Sequence, residues 1–413
     1  MKVAVITLGC KVNECESRSL ISELKGEGAE VTEEQEYADA YIVNTCSVTG
    51  EADRKSRQLV RKCLRLNPNA RVYVTGCSSQ NDPSPYLTIK NVEYIGGTAN
   101  KQAIARSIMS DIVWENAQNI AEIPLKFEEA PLPAFQKTRN YVKIQDGCNN
   151  FCSYCVIPYL RGRSRSRDLD SIVREAERAA LGTREIVLTG IDVSSYGKDN
   201  GHTLADVVRA LGHIDVRKRL SSFECTVISD DLLIALKDSG FNDHFHRSLQ
   251  SGCDRVLKAM NRHYDTARFA KAVEDIRRYF PDAGITTDII AGFPTETETD
   301  FKETCDFAEK IGFSDIHVFP YSERKGTRAA QMEQLPMGIR RERAAVLGTI
   351  KKRLHRAFLN GLKGKTLSVL FEERKDGYSS GYSTNYARVY SADAAQGEVK
   401  DVKVSELFRQ GVK

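Results

Sequence analysis

The stretch Gly147-Cys148-Asn149-Asn150-Phe151-Cys152-Ser153-Tyr154-Cys155 sets three thiols in the spacing C-x3-C-x2-C. One tight loop of this kind can close on a cubic four-iron cluster through three of its irons and leave the fourth open. Clusters that only store electrons usually take four cysteines, so an open iron points to reaction chemistry. Zinc is the other reading, but a closed structural zinc site needs four ligands, and no His or Cys stands nearby in the sequence to supply the last.

Three further cysteines share a different feature: each follows an apolar, strand-like run, in the words Gly9-Cys10, Thr45-Cys46 and Gly76-Cys77. Parallel strands put their carboxyl ends on one edge of a sheet, where ligands bind in open α/β folds. Cys10, Cys46 and Cys77 are therefore expected to converge on a second three-thiolate cluster. The alternative is three unrelated, half-buried cysteines, since Cys is often buried. The remaining five, Cys15, Cys63, Cys225, Cys253 and Cys305, fall inside helical or strand patterns and read as small hydrophobes.

The elements that must position these thiols are α/β throughout the first 335 residues. Strands are expected at Lys2 to Leu8, Ala38 to Asn44 and Ala70 to Thr75, with helices at Glu14 to Lys25 and Ala52 to Leu66, giving an open parallel sheet domain over residues 1–125. Residues 115–138, Glu-rich with Pro124, Pro131 and Pro133, read as a linker. Over 138–335 the alternation returns, with strands at Tyr141 to Ile144, Glu185 to Thr189, Arg219 to Glu224, His244 to Leu249, Gly284 to Ala291 and Asp315 to Pro320. Six such units are too few for a closed eight-stranded barrel of about 250 residues, so a partial (β/α)6 barrel is expected. A basic helical connector at 336–363 leads to strand-like runs at Thr366 to Glu372, Ser383 to Tyr390 and Gly397 to Val404, a small β-barrel over 364–413.

The bulk numbers agree with several globular domains. The chain has 413 residues, 41% hydrophobic and 28% charged, with net charge +4. No apolar run approaches the roughly 20 residues of a membrane span, and the N-terminus lacks a secretory signal. A cytoplasmic protein with reduced thiols is expected, and no membrane partner.

GCNNFCSYC, followed by Val156-Ile157-Pro158-Tyr159 and Arg161-Gly162-Arg163, resembles the radical S-adenosylmethionine (SAM) signature. With TLGCKVNE, NTC and TGC in the first domain, essentially the whole chain resembles the methylthiotransferases, and among them the enzymes acting on threonylcarbamoyladenosine beside the tRNA anticodon. The resemblance implies two [4Fe-4S] clusters, one on Cys148, Cys152 and Cys155, the other on Cys10, Cys46 and Cys77. It implies reductive cleavage of SAM at the first cluster and transfer of methylated sulfur from the second to carbon 2 of the adenine. It also implies a reducing partner of flavodoxin or ferredoxin type and a sulfur donor. Enzymes acting on isopentenyladenosine have different words after the first Cys, and that substrate is the alternative. A non-catalytic iron-sulfur RNA-binding or electron-transfer protein is the alternative of another class.

SAM-binding candidates follow from position at the carboxyl ends of barrel strands: Gly190, Asp192, Glu224, Gln250 and Gly292. Thr295 stands where the family commonly has Gly, and Cys225-Thr226-Val227 where it commonly has Pro-Thr-Glu. Arg161, Arg163, Arg165 and Arg167 alternate directly after the cluster loop and are expected to meet phosphates of a tRNA anticodon stem-loop; a solvated charge run is the bland alternative. The C-terminal strands resemble the TRAM module, where Tyr378, Tyr382, Tyr386 and Arg388 could stack on bases; aromatics of the barrel core are the alternative for some of these.

Overall fold

The computed structural model describes residues 1–110, 112, 114, 117–133 and 138–413. Its first domain is a five-stranded parallel sheet of β1 (Lys2–Thr7), β2 (Glu30–Thr32), β3 (Ala40–Thr45), β4 (Arg71–Gly76) and β5 (Val92–Ile95), in the order β2-β1-β3-β4-β5. Every residue of the central β3 is buried, as expected of a strand covered on both faces. Alternate side chains feed two cores. Ala4, Ile6, Tyr41 and Val43 meet Leu59, Val60 and Cys63 of α2 (Gly50–Leu66), while Val3, Val5, Ala40 and Ile42 meet Leu20 and Leu24 of α1 (Lys11–Gly26). The short edge strands β2 and β5 escape the sequence reading because three or four residues carry too little alternation.

Part of the expected linker, residues 115, 116 and 134–137, lies outside the described residues. Residues 117–133 form neither helix nor extended ladder, yet they are tied down. Gln118 bridges Ile95, and Leu132 accepts a hydrogen bond from Ser22 at 3.1 Å.

All six expected barrel strands are present: β6 (Arg139–Lys143), β7 (Glu185–Thr189), β8 (Arg217–Leu220), β9 (His244–Gln250), β10 (Gly284–Ala291) and β11 (Asp315–Pro320). They pair in parallel as β8-β7-β6 and β9-β10-β11, and the bridges Lys218↔Phe241 and Phe223↔Arg247 join the two halves. One face of each strand, including Val142, Leu188, Leu220, Phe245, Ile289 and Ile316, packs on the surrounding helices. The other face is polar.

The connector is a continuous helix, α3 (Met337–Gly361), not solvated all round: Arg340 and Arg343 are buried, with Arg343 paired to Glu296 at 2.6 Å. Beyond it lie β12 (Thr366–Lys375), β13 (Tyr378–Ser383), β14 (Arg388–Ser391), β15 (Val399–Lys403), β16 (Leu407–Phe408) and β17 (Gly411–Val412), ordered β15-β12-β13-β14-β17-β16 around Val369, Phe371, Val389 and Val412. The expected strand from Ser383 to Tyr390 is broken. Ser383 accepts from the Tyr386 backbone N–H at 3.0 Å and Tyr386 takes φ of 67°, which turns the chain. This sheet docks at the amino ends of the barrel strands: Arg217 donates to the carbonyls of Ser368 and Tyr382, each at 3.1 Å, and Asn385 donates to Asp282 at 3.0 Å.

Candidate functional site

The signature loop leaves the carboxyl end of β6 and is pinned from both sides. Gln145 donates to the carbonyl of Gly147 at 2.7 Å and to Ser164 at 2.9 Å, and its amide oxygen accepts from the Asp192 backbone at 2.8 Å. Inside the loop the Asn150 backbone N–H points at Cys148 Sγ, 3.4 Å away. Burial pushes the Cys148 thiol up to about 12, with Asp192 and the thiols of Cys152 and Cys155 adding to it; burial and Cys152 push Cys155 to about 12 as well. Buried thiols such as Cys148 and Cys155 need a positive centre to ionise, and bound metal supplies that charge and takes the proton's place. Donor type and the spacing of the loop fit a cluster at Cys148, Cys152 and Cys155.

Two of the predicted SAM-side residues join this loop through a side chain that sequence reasoning did not single out. Asn150 Nδ2 donates to Asp192 Oδ2 and to Glu224 Oε1, each at 3.2 Å. A second such residue is Arg262, which donates to Cys152 Sγ at 3.1 Å and to Glu224 Oε1 at 2.6 Å. Asn150 sits within the signature and was legible there; Arg262 follows a short helix with no pattern to mark it. Gly190 and Gly292 have packing reasons of their own, because a Cβ would meet Gln145 Oε1 at 2.9 Å and Arg340 Cγ at 2.8 Å respectively. Gln250 ends β9 at a register shift with φ of 68°.

The first-domain cysteines leave neighbouring strand ends as the sheet order requires. Gly9 (φ 110°) lies so close to Cys46 that a Cβ there would stand 3.0 Å from its Sγ, which only glycine permits. Cys10 and Cys77 both act on the Cys46 thiol, which burial pushes up to about 11. Cys77 packs with Val156 and Leu160, just beyond the signature loop, and raises Cys155 in turn. The first-domain trio thus approaches the loop trio where Cys77 packs on Val156, the residue after Cys155. Among the described residues no three His, Cys, Asp or Glu side chains are gathered for a single metal ion.

The alternating arginines are a correction. Arg161, Arg165 and Arg167 are buried and neutralised within the protein, and only Arg163 is exposed. Arg161 pairs with Glu16 at 2.8 Å and Asp146 at 3.2 Å, Arg165 with Asp146 at 3.4 Å, and Arg167 with Glu175 and with Glu129 at 2.7 Å. Buried carboxylates claim these guanidiniums before a phosphate could. Burial alone would raise the Glu16 carboxyl, but Arg161, Lys101 and Lys143 hold it well below the usual range. The network therefore joins the two domains. Arg163 lies over the Phe151 ring at 4.7 Å.

A cavity of about 1050 Å³ opens between α1, the polar faces of β8 to β11, α3 and the C-terminal sheet. Seven Lys and Arg side chains line it against two Asp, Asp288 and Asp315, a balance suited to an anionic ligand. Lys11, the residue after Cys10, lines it, and His244, His246 and His317 stand on its strands. Tyr382 and Tyr386 also line it, but Tyr386 has no free face: it stacks on Tyr382 at 4.5 Å and on His244 at 4.4 Å. Tyr378 packs on Phe408 at 4.8 Å, and Arg388 lies over Tyr390 at 5.4 Å.

Comparison with known proteins places these parts. Residues 142–308 match the Radical SAM superfamily and residues 2–97 match the Uncharacterized protein family UPF0004. The chain is 36% identical to the threonylcarbamoyladenosine tRNA methylthiotransferase MtaB of Bacillus subtilis, covering 98% of this chain and 93% of the relative. It is 37% identical to the MtaB of Aquifex aeolicus (90% and 93%) and 35% identical to the tRNA-2-methylthio-N(6)-dimethylallyladenosine synthase of Syntrophomonas wolfei (90% and 86%). Among solved structures, the radical SAM methyltransferase TsrM of Kitasatospora setae shares the fold, with a TM-score of 0.57 at 15% identity over 80% of this chain and 77% of that one. Among the described residues no helix is long and apolar enough to cross a membrane. Matching both domains and nearly its full length to enzymes of one kind, the chain belongs to the radical SAM tRNA methylthiotransferase family.

Proposed function

We propose that this protein methylthiolates carbon 2 of N6-threonylcarbamoyladenosine next to the tRNA anticodon. The single observation that carries the reading is the packing of Cys77 on Val156, the residue after Cys155, beside a cationic cavity that Lys11, the residue after Cys10, helps to line. Cys148, Cys152 and Cys155 would hold one [4Fe-4S] cluster with SAM at its open iron, and Cys10, Cys46 and Cys77 the other. When bound, these groups supply the one-electron and group-transfer chemistry that no side chain can perform.

The chain's own residues do the rest. Arg161 and Lys143 of the barrel both pair with Glu16 of the first domain, which locks the two together. Asn150 and Arg262 hold Asp192 and Glu224 toward the loop, where carboxylates can take hydroxyl or ammonium donors of SAM. The outer cations of the cavity, Lys352, Arg356 and Arg409, are exposed and placed to meet backbone phosphates. A base in a single-stranded loop is unstacked at low cost and can then enter.

Mass spectrometry of tRNA nucleosides from cells with and without the gene tests the reading. Loss of 2-methylthio-N6-threonylcarbamoyladenosine supports it. The relatives named for dimethylallyladenosine favour a second reading, which persistence of that nucleoside with loss of the isopentenyl product would establish instead.

A further inference from the structure

We propose that Lys11 and Arg219, which line this cavity, form an anion site that takes the carboxylate of an acidic adenine substituent, and so select an acidic base over a neutral one. The inference rests on the RNA reading above and adds the residues that would distinguish its two candidate bases.

Lys11 lines the cavity yet has no hydrogen bond or ion pair among the described residues, where Lys101 and Lys143 each find Glu16. Arg219 is buried, and its carboxylate partner is shared. Glu185 accepts from Arg139 at 2.6 Å and more loosely from Arg217 and Arg219, each at 3.4 Å, and Arg219 also meets His244 Nδ1 at 3.5 Å, so one carboxylate serves three guanidiniums. The acid on the cavity wall nearest to hand, Asp288, is engaged by His246 at 3.2 Å. The floor is thus short of negative charge, and Tyr386, which lies under Arg219 with its ring 4.6 Å away, cannot supply it. A carboxylate brought in by the ligand would complete both cations. A neutral alkyl group there would bury Lys11 unpaired, which is unfavourable.

Backbone phosphate is the other source of such an anion. It is met first by the exposed rim, whereas Lys11 adjoins Cys10, where the reacting base must come. The two sources are separable with full-length reconstituted protein and four synthetic anticodon stem-loops that differ in one base. The bases are adenosine, N6-isopentenyladenosine, N6-threonylcarbamoyladenosine and the methyl ester of the last, and the readout is the dissociation constant. Wild type is expected to bind the acid loop at least about tenfold more tightly than the ester loop. Lys11→Met should erase that difference, and Lys11→Arg should keep most of it. Equal affinity of wild type for acid and ester overturns the proposal without reference to any variant. An equal weakening of all four loops by Lys11→Met assigns the contact to phosphate and overturns it too. Failure of wild type to bind any loop overturns the RNA reading itself, and this inference with it.

Discussion

The guanidinium of Arg161 donates to Asn13 Oδ1 at 2.8 Å, and Asn13 in turn donates to the carbonyls of Leu8 and Thr45 at 2.8 and 3.0 Å. One amide therefore connects the turn before Cys10, the turn before Cys46 and the helix that follows the signature loop. The contact is one of those that hold the first domain against the barrel. Removing the cation should show it. Arg161→Met leaves Glu16 and Asp146 buried without one partner each, so unfolding free energy should fall by about 3–5 kcal/mol, read from the denaturant midpoint. A loss below about 1 kcal/mol would mean that Lys101 and Lys143 suffice.

Arg262 touches the cluster loop through Cys152 Sγ and the SAM side through Glu224. A cationic donor to a cluster sulfur stabilises the reduced state. Arg262→Met should therefore shift the potential of the loop cluster to more negative values in an EPR-monitored redox titration, while the second cluster stays where it was.

The acid limb of stability should depend on Asp300. Hydrogen bonds from Arg255, opposed by burial and joined by Thr297, hold its carboxyl well below the usual range. A folded-state value below the unfolded value of about 3.9 contributes stability that is complete above that pH and is lost as pH falls through the folded value. Asp300 also closes the capping box of the helix Glu298–Ile311. Asp300→Asn should cost about 1 kcal/mol at neutral pH and flatten the decline that wild type shows below pH of about 4, both measured by urea denaturation.

The sequence made the thiols and the strands visible because their signals are local: a fixed spacing in the loop, and a Cys directly after an apolar run. Which charges meet is not local. RGRSRSR carries alternation that suits a surface, yet Arg161 finds its carboxylate at Glu16, far back in the chain, and Arg167 finds one at Glu175 on the next helix. For the same reason Tyr386 looked free to stack on a base, when its two faces are taken by Tyr382 and by His244 of a different domain.

That ring ladder yields a prediction of its own. Tyr386→Ala removes the stack on His244 that crosses from the C-terminal sheet to the barrel, together with the stack on Tyr382 within the sheet, and should cost about 1–3 kcal/mol. Limited proteolysis should then release the sheet from the barrel sooner than in wild type. An unchanged cleavage pattern would show that the hydrogen bonds of Arg217 and Asn385 hold the joint without it.

The division of labour between the trios is tested most directly by Cys77→Ala, with two products measured in one reaction containing reduced, reconstituted protein, SAM and tRNA that carries threonylcarbamoyladenosine. The variant should hold about four irons fewer per chain, still release 5′-deoxyadenosine, and form no methylthiolated nucleoside. Formation of that nucleoside at the wild-type level by Cys77→Ala would contradict the assignment of Cys10, Cys46 and Cys77 as the place from which sulfur is delivered.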